Sequence, residues 1–233
     1  MKALICALFL FAASLSQATV LSLITEELPP YAYKDKGKIV GASVEIVEAL
    51  FKEAGVPYEI KIMPWKRAFE LVKTKDACVF PIQRSQEREA LFHWVSPVLI
   101  TQTGFYAGAG KAVPVTTLKD AMPFKIGTYR GSAVEEYLVG QGFTVDATTV
   151  DEANVHKLKA GRLDLWAADT LSAAYVSKKN KVQLEEIMVY FTTLRALACN
   201  PNVSESLMEK LRTALQSIYQ KGVVDAVIEK YRQ

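Results

Sequence analysis

Cysteine and histidine are scarce in this chain. Its 233 residues include three cysteines and two histidines. Cys6 falls in an N-terminal apolar run, which leaves Cys78 and Cys199, too few for a cysteine zinc cage. His93 and His156 are isolated, with no partner at metal-ligand or catalytic-base spacing, and read as structural. Nucleophile–base triads, metal-ligand sets and phosphate loops are all missing, so no catalytic residue, metal or cofactor is assigned. Basic blocks interleaved with aromatics are missing too, and the net charge is only +3. Nucleic acid is therefore a poor partner. After the first fifteen residues no apolar stretch reaches membrane-spanning length. There is no internal repeat and no low-complexity tract.

The first eighteen residues read as an export signal. Lys2 precedes the apolar run Ala3–Leu15, and Ser16-Gln17-Ala18 fits a small-x-small cleavage site. Residues 1–18 are expected to be a signal peptide cleaved after Ala18, leaving a periplasmic chain. Export permits a disulfide. The apolar, strand-like surroundings of Cys78 and Cys199 equally suit buried free thiols. Both states fit the sequence.

Strand and helix patterns then alternate. Strands are expected at 20–25, 58–62, 77–80 and 98–107, with a helix opened by Ser43 (apolar Val44, Val47, Leu50 and Phe51) and another at 65–73. Gly108, Gly110 and Pro114 change the texture and suggest a crossing between lobes. Strands near 124–128, 143–147 and 163–167 follow, each leading into a helix. Thr192-Thr193 offers a return crossing before a strand at 194–199 and a helix at 204–220. Alternation of this kind implies mostly parallel sheets flanked by helices. In such sheets ligands lie beyond the carboxyl ends of the strands.

The residues just after those strands carry the candidate chemistry. Arg88 lies in the first turns of a short helix, a position that disfavours a cation unless an anion is to be held. Asp169 precedes another helix, where it caps the backbone and still has lone pairs to offer an ammonium group. Ser132 caps a helix with Glu135 at capping-box spacing, and such helix starts also bind anions. Tyr31 and Trp65 sit on loops after strands, where a ring can cover a ligand. Glu26, Gln83, Arg84, Arg67 and Arg130 crowd the same region. Glu26 in the cleft favours a cationic ligand group; Arg67 or Arg130 there favours an anionic one.

In order and spacing these residues resemble the periplasmic amino-acid-binding proteins of ABC importers, the family-3 extracellular solute-binding proteins. The resemblance runs through Pro29-Pro30-Tyr31-Ala32-Tyr33, Gly41, Trp65, Glu87-Arg88 with Trp94 and Pro97, Gly131-Ser132, Gly161-Arg162-Leu163-Asp164 and Asp169-Thr170. It implies a two-lobed type II periplasmic-binding fold: lobe one at 19–107 plus 194–233, lobe two at 108–193, with hinge segments at both ends of lobe two. It further implies that Arg88 grips a ligand carboxylate and Asp169 its ammonium. Tyr31 and Trp65 would be aromatic walls, and Gly131 and Ser132 helix-start donors. The family's Gly and Thr before the arginine are replaced by Pro81 and Gln83, and Thr25-Glu26-Glu27 stands where relatives place an Asp.

The implied function is a monomeric binding protein, not an enzyme, that closes on an amino acid or similar compound and delivers it to a membrane permease. The alternatives on the same fold are a dehydratase acting on prephenate-like acids and a ligand-sensing subunit. Replacing Arg88 or Asp169 by alanine is expected to abolish binding and leave the fold intact.

Overall fold

The computed structural model describes residues 20–232; the expected signal peptide at 1–18 lies outside the described residues. Among the described residues there are ten strands and seven α-helices. They are β1 (Leu21–Thr25), β2 (Tyr33–Asp35), β3 (Lys38–Val40), α1 (Ala42–Ala54), β4 (Tyr58–Ile62), α2 (Trp65–Thr74), β5 (Ala77–Gln83) and β6 (His93–Gly108), then β7 (Ile126–Tyr129), α3 (Ala133–Gly140), β8 (Val145–Thr148), α4 (Glu152–Lys159), β9 (Leu165–Asp169), α5 (Thr170–Asn180), β10 (Leu184–Cys199), α6 (Glu205–Gln220) and α7 (Val223–Arg232). Eight strands form one sheet in the order β4-β1-β5-β10-β6-β9-β7-β8, and β2 and β3 make a separate hairpin.

The sheet is parallel at both ends and antiparallel in the middle. β1 pairs in parallel with β4 and β5, and β7 with β8 and β9. Between them run β6 and β10, sixteen residues each and antiparallel to one another. β10 borders β5 over Arg195–Cys199, and β6 borders β9 over Thr103–Tyr106. The two long strands thus pass from one set of neighbours to the other near Thr101 and Thr193, which face each other. Gly108 ends β6 opposite Leu184.

This passage divides the core in two, giving the two-lobed α/β fold that the resemblance implies. On one side, alternate residues of β5 face opposite ways, as strand geometry requires. Cys78 and Phe80 pack with α1 and α6 through Val47, Leu50, Leu211 and Leu215. Ala77 and Val79 pack with α2 through Ala68 and Val72, and Ile82 joins them because the β5–β10 register shifts between Val79 and Ile82. Beyond the passage the pattern repeats. Phe105, Ile126 and Leu165 meet Leu138 of α3, whereas Tyr106 and Trp166 meet Val155 of α4 and Val176 of α5.

Cys78 and Cys199 stand opposite each other in the β5–β10 register and are joined by a disulfide. Strand pairing settles what composition left open. Ser43 does not cap α1: Gly41 takes the N-cap position, and the buried Ser43 hydroxyl has no partner among the described residues. Val182–Tyr190, Thr192-Thr193 and Leu194–Cys199 belong to one strand from Leu184 on, because β10 crosses the lobes without a turn.

Candidate ligand-binding cleft

The carboxyl ends of the parallel strands converge on a gap between the lobes. Glu26 follows β1, Trp65 opens α2 after β4, and Gln83 ends β5. Arg88 lies in a short 3-10 turn, Gln86–Leu91. From the other lobe, Thr128 and Tyr129 end β7, Ser132 caps α3, Asp151 precedes α4, and Asp169 ends β9. All of these, with Arg195 of β10, line one cavity of about 50 Å³. A wider groove of about 810 Å³ continues outward past Trp65, Tyr129 and Asp151, and Arg130 and Gly131 line that part.

Arg88 is 3% exposed. Its guanidinium lies against the rings of Trp65 and Phe69, 5.5 and 5.2 Å from their centroids. It reaches across the gap: Nε donates to Glu136 Oε2 at 3.1 Å, and Nη2 to Glu136 Oε1 at 2.7 Å and to the Gly131 carbonyl at 3.1 Å. The Trp65 indole N–H donates to the same carbonyl at 2.7 Å. A guanidinium in a two-pronged grip on a carboxylate is the strong form of such a contact. Here the chain's own Glu136 supplies the carboxylate.

The helix start beside it is also engaged. Ser132 Oγ accepts from the Glu135 N–H at 3.1 Å, and the Glu135 carboxylate accepts from the Gly131 N–H. Glu135 folds back as a capping box would, but onto the residue before the cap. Gly131 has φ 73°, a region that favours glycine.

Asp169 is buried and triply held. It accepts from the Tyr31 hydroxyl, from the Ser172 N–H at 2.9 Å, which caps α5, and from Arg195 Nη2 at 3.0 Å. Arg195 in turn sits over the Tyr31 ring, 4.2 Å from its centroid. Burial, and then the Asp169 charge, hold the Tyr31 hydroxyl well above its ordinary pKa, so it stays a donor. The Tyr31 loop is fixed from behind by α1. The Ser43 N–H donates to the Tyr31 carbonyl at 2.9 Å, and Gly41, with φ 133°, passes so close that a Cβ there would lie 2.4 Å from that oxygen.

Two further acids form no ion pair among the described residues. Glu26 is 5% exposed and accepts from the Tyr129 hydroxyl at 2.6 Å. Burial pushes its pKa up to about 7, with Tyr129 and Arg195 pulling the other way. Asp151 accepts from the Trp166 indole N–H at 3.0 Å and from the Asn154 amide at 3.2 Å. Burial and then the Asp169 charge raise its pKa to about 7 as well.

Of the residues singled out from sequence, Arg88, Asp169, Trp65, Gln83, Ser132 and Glu26 line the inner cavity, and Tyr31 stands behind it through Asp169. Arg130 and Gly131 line the outer groove. Arg84 turns away onto Glu89, with Nε donating at 2.8 Å, and Arg67 is exposed outside both spaces. Sequence reading missed Arg195, Glu136, Asp151, Thr128 and Tyr129. Arg195 alone carried a signal: an arginine inside the apolar run Leu194–Cys199 needs a buried partner.

Residues 21–233 match the profile of the bacterial extracellular solute-binding proteins, family 3. The chain belongs to that family. Among its relatives is the L-cystine-binding protein TcyJ of Escherichia coli (strain K12), 24% identical over 220 residues, covering 92% of this chain and 83% of that protein. The putative ABC transporter arginine-binding protein 2 of the same strain is 25% identical over 247 aligned positions, covering 100% of this chain and 99% of that one. In structure this family-3 chain is similar to a histidine kinase sensor domain with similarity to periplasmic binding proteins. The TM-score is 0.84 at 20% identity, over 91% of this chain and 95% of that domain. The last likeness is one of fold. The cleft lies beyond the carboxyl ends of the parallel strands, the place where open α/β sheets in general take ligands.

Proposed function

We propose that this chain is a periplasmic solute-binding protein that closes on an amino acid or amino-acid-like compound and hands it to the permease of an ABC importer. The observation that carries this reading is that Arg88 and Asp169, from opposite lobes, line one cavity. A guanidinium and a carboxylate across a gap suit the two ends of a zwitterion, and closure strengthens both contacts by removing water. Trp65, with Ser132, Gln83 and Glu26, completes the pocket; Tyr31 is no wall of it, since Arg195 covers its ring, and it supports Asp169 from behind. Arg130 and Gly131 belong to its outer part; Arg84 and Arg67 point elsewhere and are given no contact.

Lobe one comprises 19 to about 101 with 194–233, and lobe two the stretch between, hinged where β6 and β10 cross near Thr101 and Thr193; the expected bound at 107 is too late, since Thr103–Tyr106 pair with β9 and Phe105 packs against α3. The chain acts as a monomer after cleavage behind Ala18. The names of two relatives, the L-cystine-binding protein TcyJ and the putative ABC transporter arginine-binding protein 2, support the ligand class. Native mass spectrometry of the purified protein identifies what the cleft retains, and calorimetry with that compound tests the assignment. Undiminished affinity in Arg88→Ala would defeat it. One observation favours a dehydratase instead: Glu26, buried in the cavity with its pKa at about 7, could act as a general acid. Turnover of prephenate by the purified protein decides for that reading.

A further inference from the structure

The main groups of the expected zwitterion grip are already engaged by the chain itself. Arg88 shows this most sharply. Its guanidinium has five N–H bonds. The Nε–H and one Nη2–H are spent on the two Glu136 oxygens, and the second Nη2–H on the Gly131 carbonyl. Trp65 and Phe69 lie against its ring-like plane. Only Nη1 remains, and a single nitrogen cannot make the two parallel bonds of a forked carboxylate grip. The Gly131 N–H, the neighbouring donor, is taken by Glu135.

The two partners of the cross-cleft pair are unequal. The Arg88 side chain is 3% exposed and the Glu136 side chain 42%. Leaving a buried guanidinium without an anion is costly, whereas a carboxylate on the rim of α3 can turn into water at little cost. The stable exchanges are therefore those in which another anion replaces Glu136 at Arg88.

We propose that Glu136 is a specificity-determining residue, a built-in competitor that only a carboxylate-bearing solute can displace from Arg88. This rests on the reading of Arg88 as the group that meets the ligand's anionic end. A solute without an anionic group has nothing to offer the buried guanidinium in return. Glu136 keeps such a solute out and lowers the apparent affinity of every true ligand by the cost of its own displacement.

Acetate is the smallest probe of the contested contact, and it needs no knowledge of the natural ligand. Thermal unfolding of the purified mature chain is followed in rising sodium acetate, with sodium chloride at equal ionic strength as the reference. In Glu136→Gln, acetate is expected to stabilise at roughly tenfold lower concentration than in the unsubstituted protein, the effect of removing one charge-assisted competitor. Glu136→Ala should respond in the same direction. Equal or weaker acetate responses in both variants overturn the proposal. Failure of both variants to fold also overturns it, since it would make Glu136 structural. If acetate responses coincide while Arg88→Ala loses the natural ligand, this inference falls and the functional reading stands. If Arg88→Ala keeps the ligand, the functional reading falls.

Discussion

Replacing Glu26 by glutamine should stabilise the ligand-free protein, and by an amount that depends on pH. Glu26 is buried beside a hydroxyl and lacks a basic partner in direct contact. Burial, the largest influence, moves its pKa from 4.5 to about 7. Below the unfolded pKa both folded and unfolded chains hold the proton, and the acid costs nothing. As pH rises from about 4.5 to 7 the unfolded chain gives the proton up while the folded chain keeps it, so stability falls. Above the folded pKa the loss is complete. At about 1.4 kcal/mol per pH unit the ceiling is about 3 kcal/mol. Glutamine has the same size, and its amide oxygen can still accept from Tyr129. Glu26→Gln is therefore expected to gain about 1–3 kcal/mol at pH 8 and almost nothing at pH 4. Urea unfolding followed by tryptophan fluorescence at pH 4, 6 and 8 reads the difference directly. A gain that is the same at all three values, or a loss at pH 8, would refute the reasoning.

Four other perturbations separate structural from binding roles. Asp169→Ala should cost about 3–5 kcal/mol as well as binding, because it strands the buried Arg195 charge and removes the α5 cap; chemical denaturation measures it. The same measurement on Arg88→Ala should show a smaller loss, about 1–2 kcal/mol, since its partner Glu136 is half in water. Replacing both Cys78 and Cys199 by serine should cost about 3–5 kcal/mol, since the bond closes a separation of 121 residues, and should make the melting temperature insensitive to reductant. Gly41→Ala should cost roughly 1–3 kcal/mol through its φ of 133° and should weaken ligand binding, because the new Cβ drives into the Tyr31 carbonyl.

Much of this was legible in the chain. The strand–helix alternation implied the α/β fold, because period-2 and period-3.6 patterns report which face is buried. Ser132 and Asp169 were readable as caps, since a cap and its partner lie within one turn of sequence. Asp169 was misjudged in one respect: alanine there was expected to leave the fold intact, but its bond to Arg195 makes it part of the frame as well. Long-range pairs were invisible. Glu136 meets Arg88 across 48 residues, and Arg195 meets Asp169 across 26, through a topology that no local pattern encodes. The disulfide belongs to the same class, as it depends on β10 lying beside β5. Helix α7 was missed because Gly222 reads as an end, although it only separates α6 from a second amphipathic turn of chain.

The covalent link between β5 and β10 closes a ring around everything from Cys78 to Cys199. The whole distal half of the molecule, β7 to α5, is an insertion within that ring, stitched at its base. If that segment melts, its ends stay fastened to the first sheet, and β6, which borders β9, is held at hand as the edge on which it re-forms.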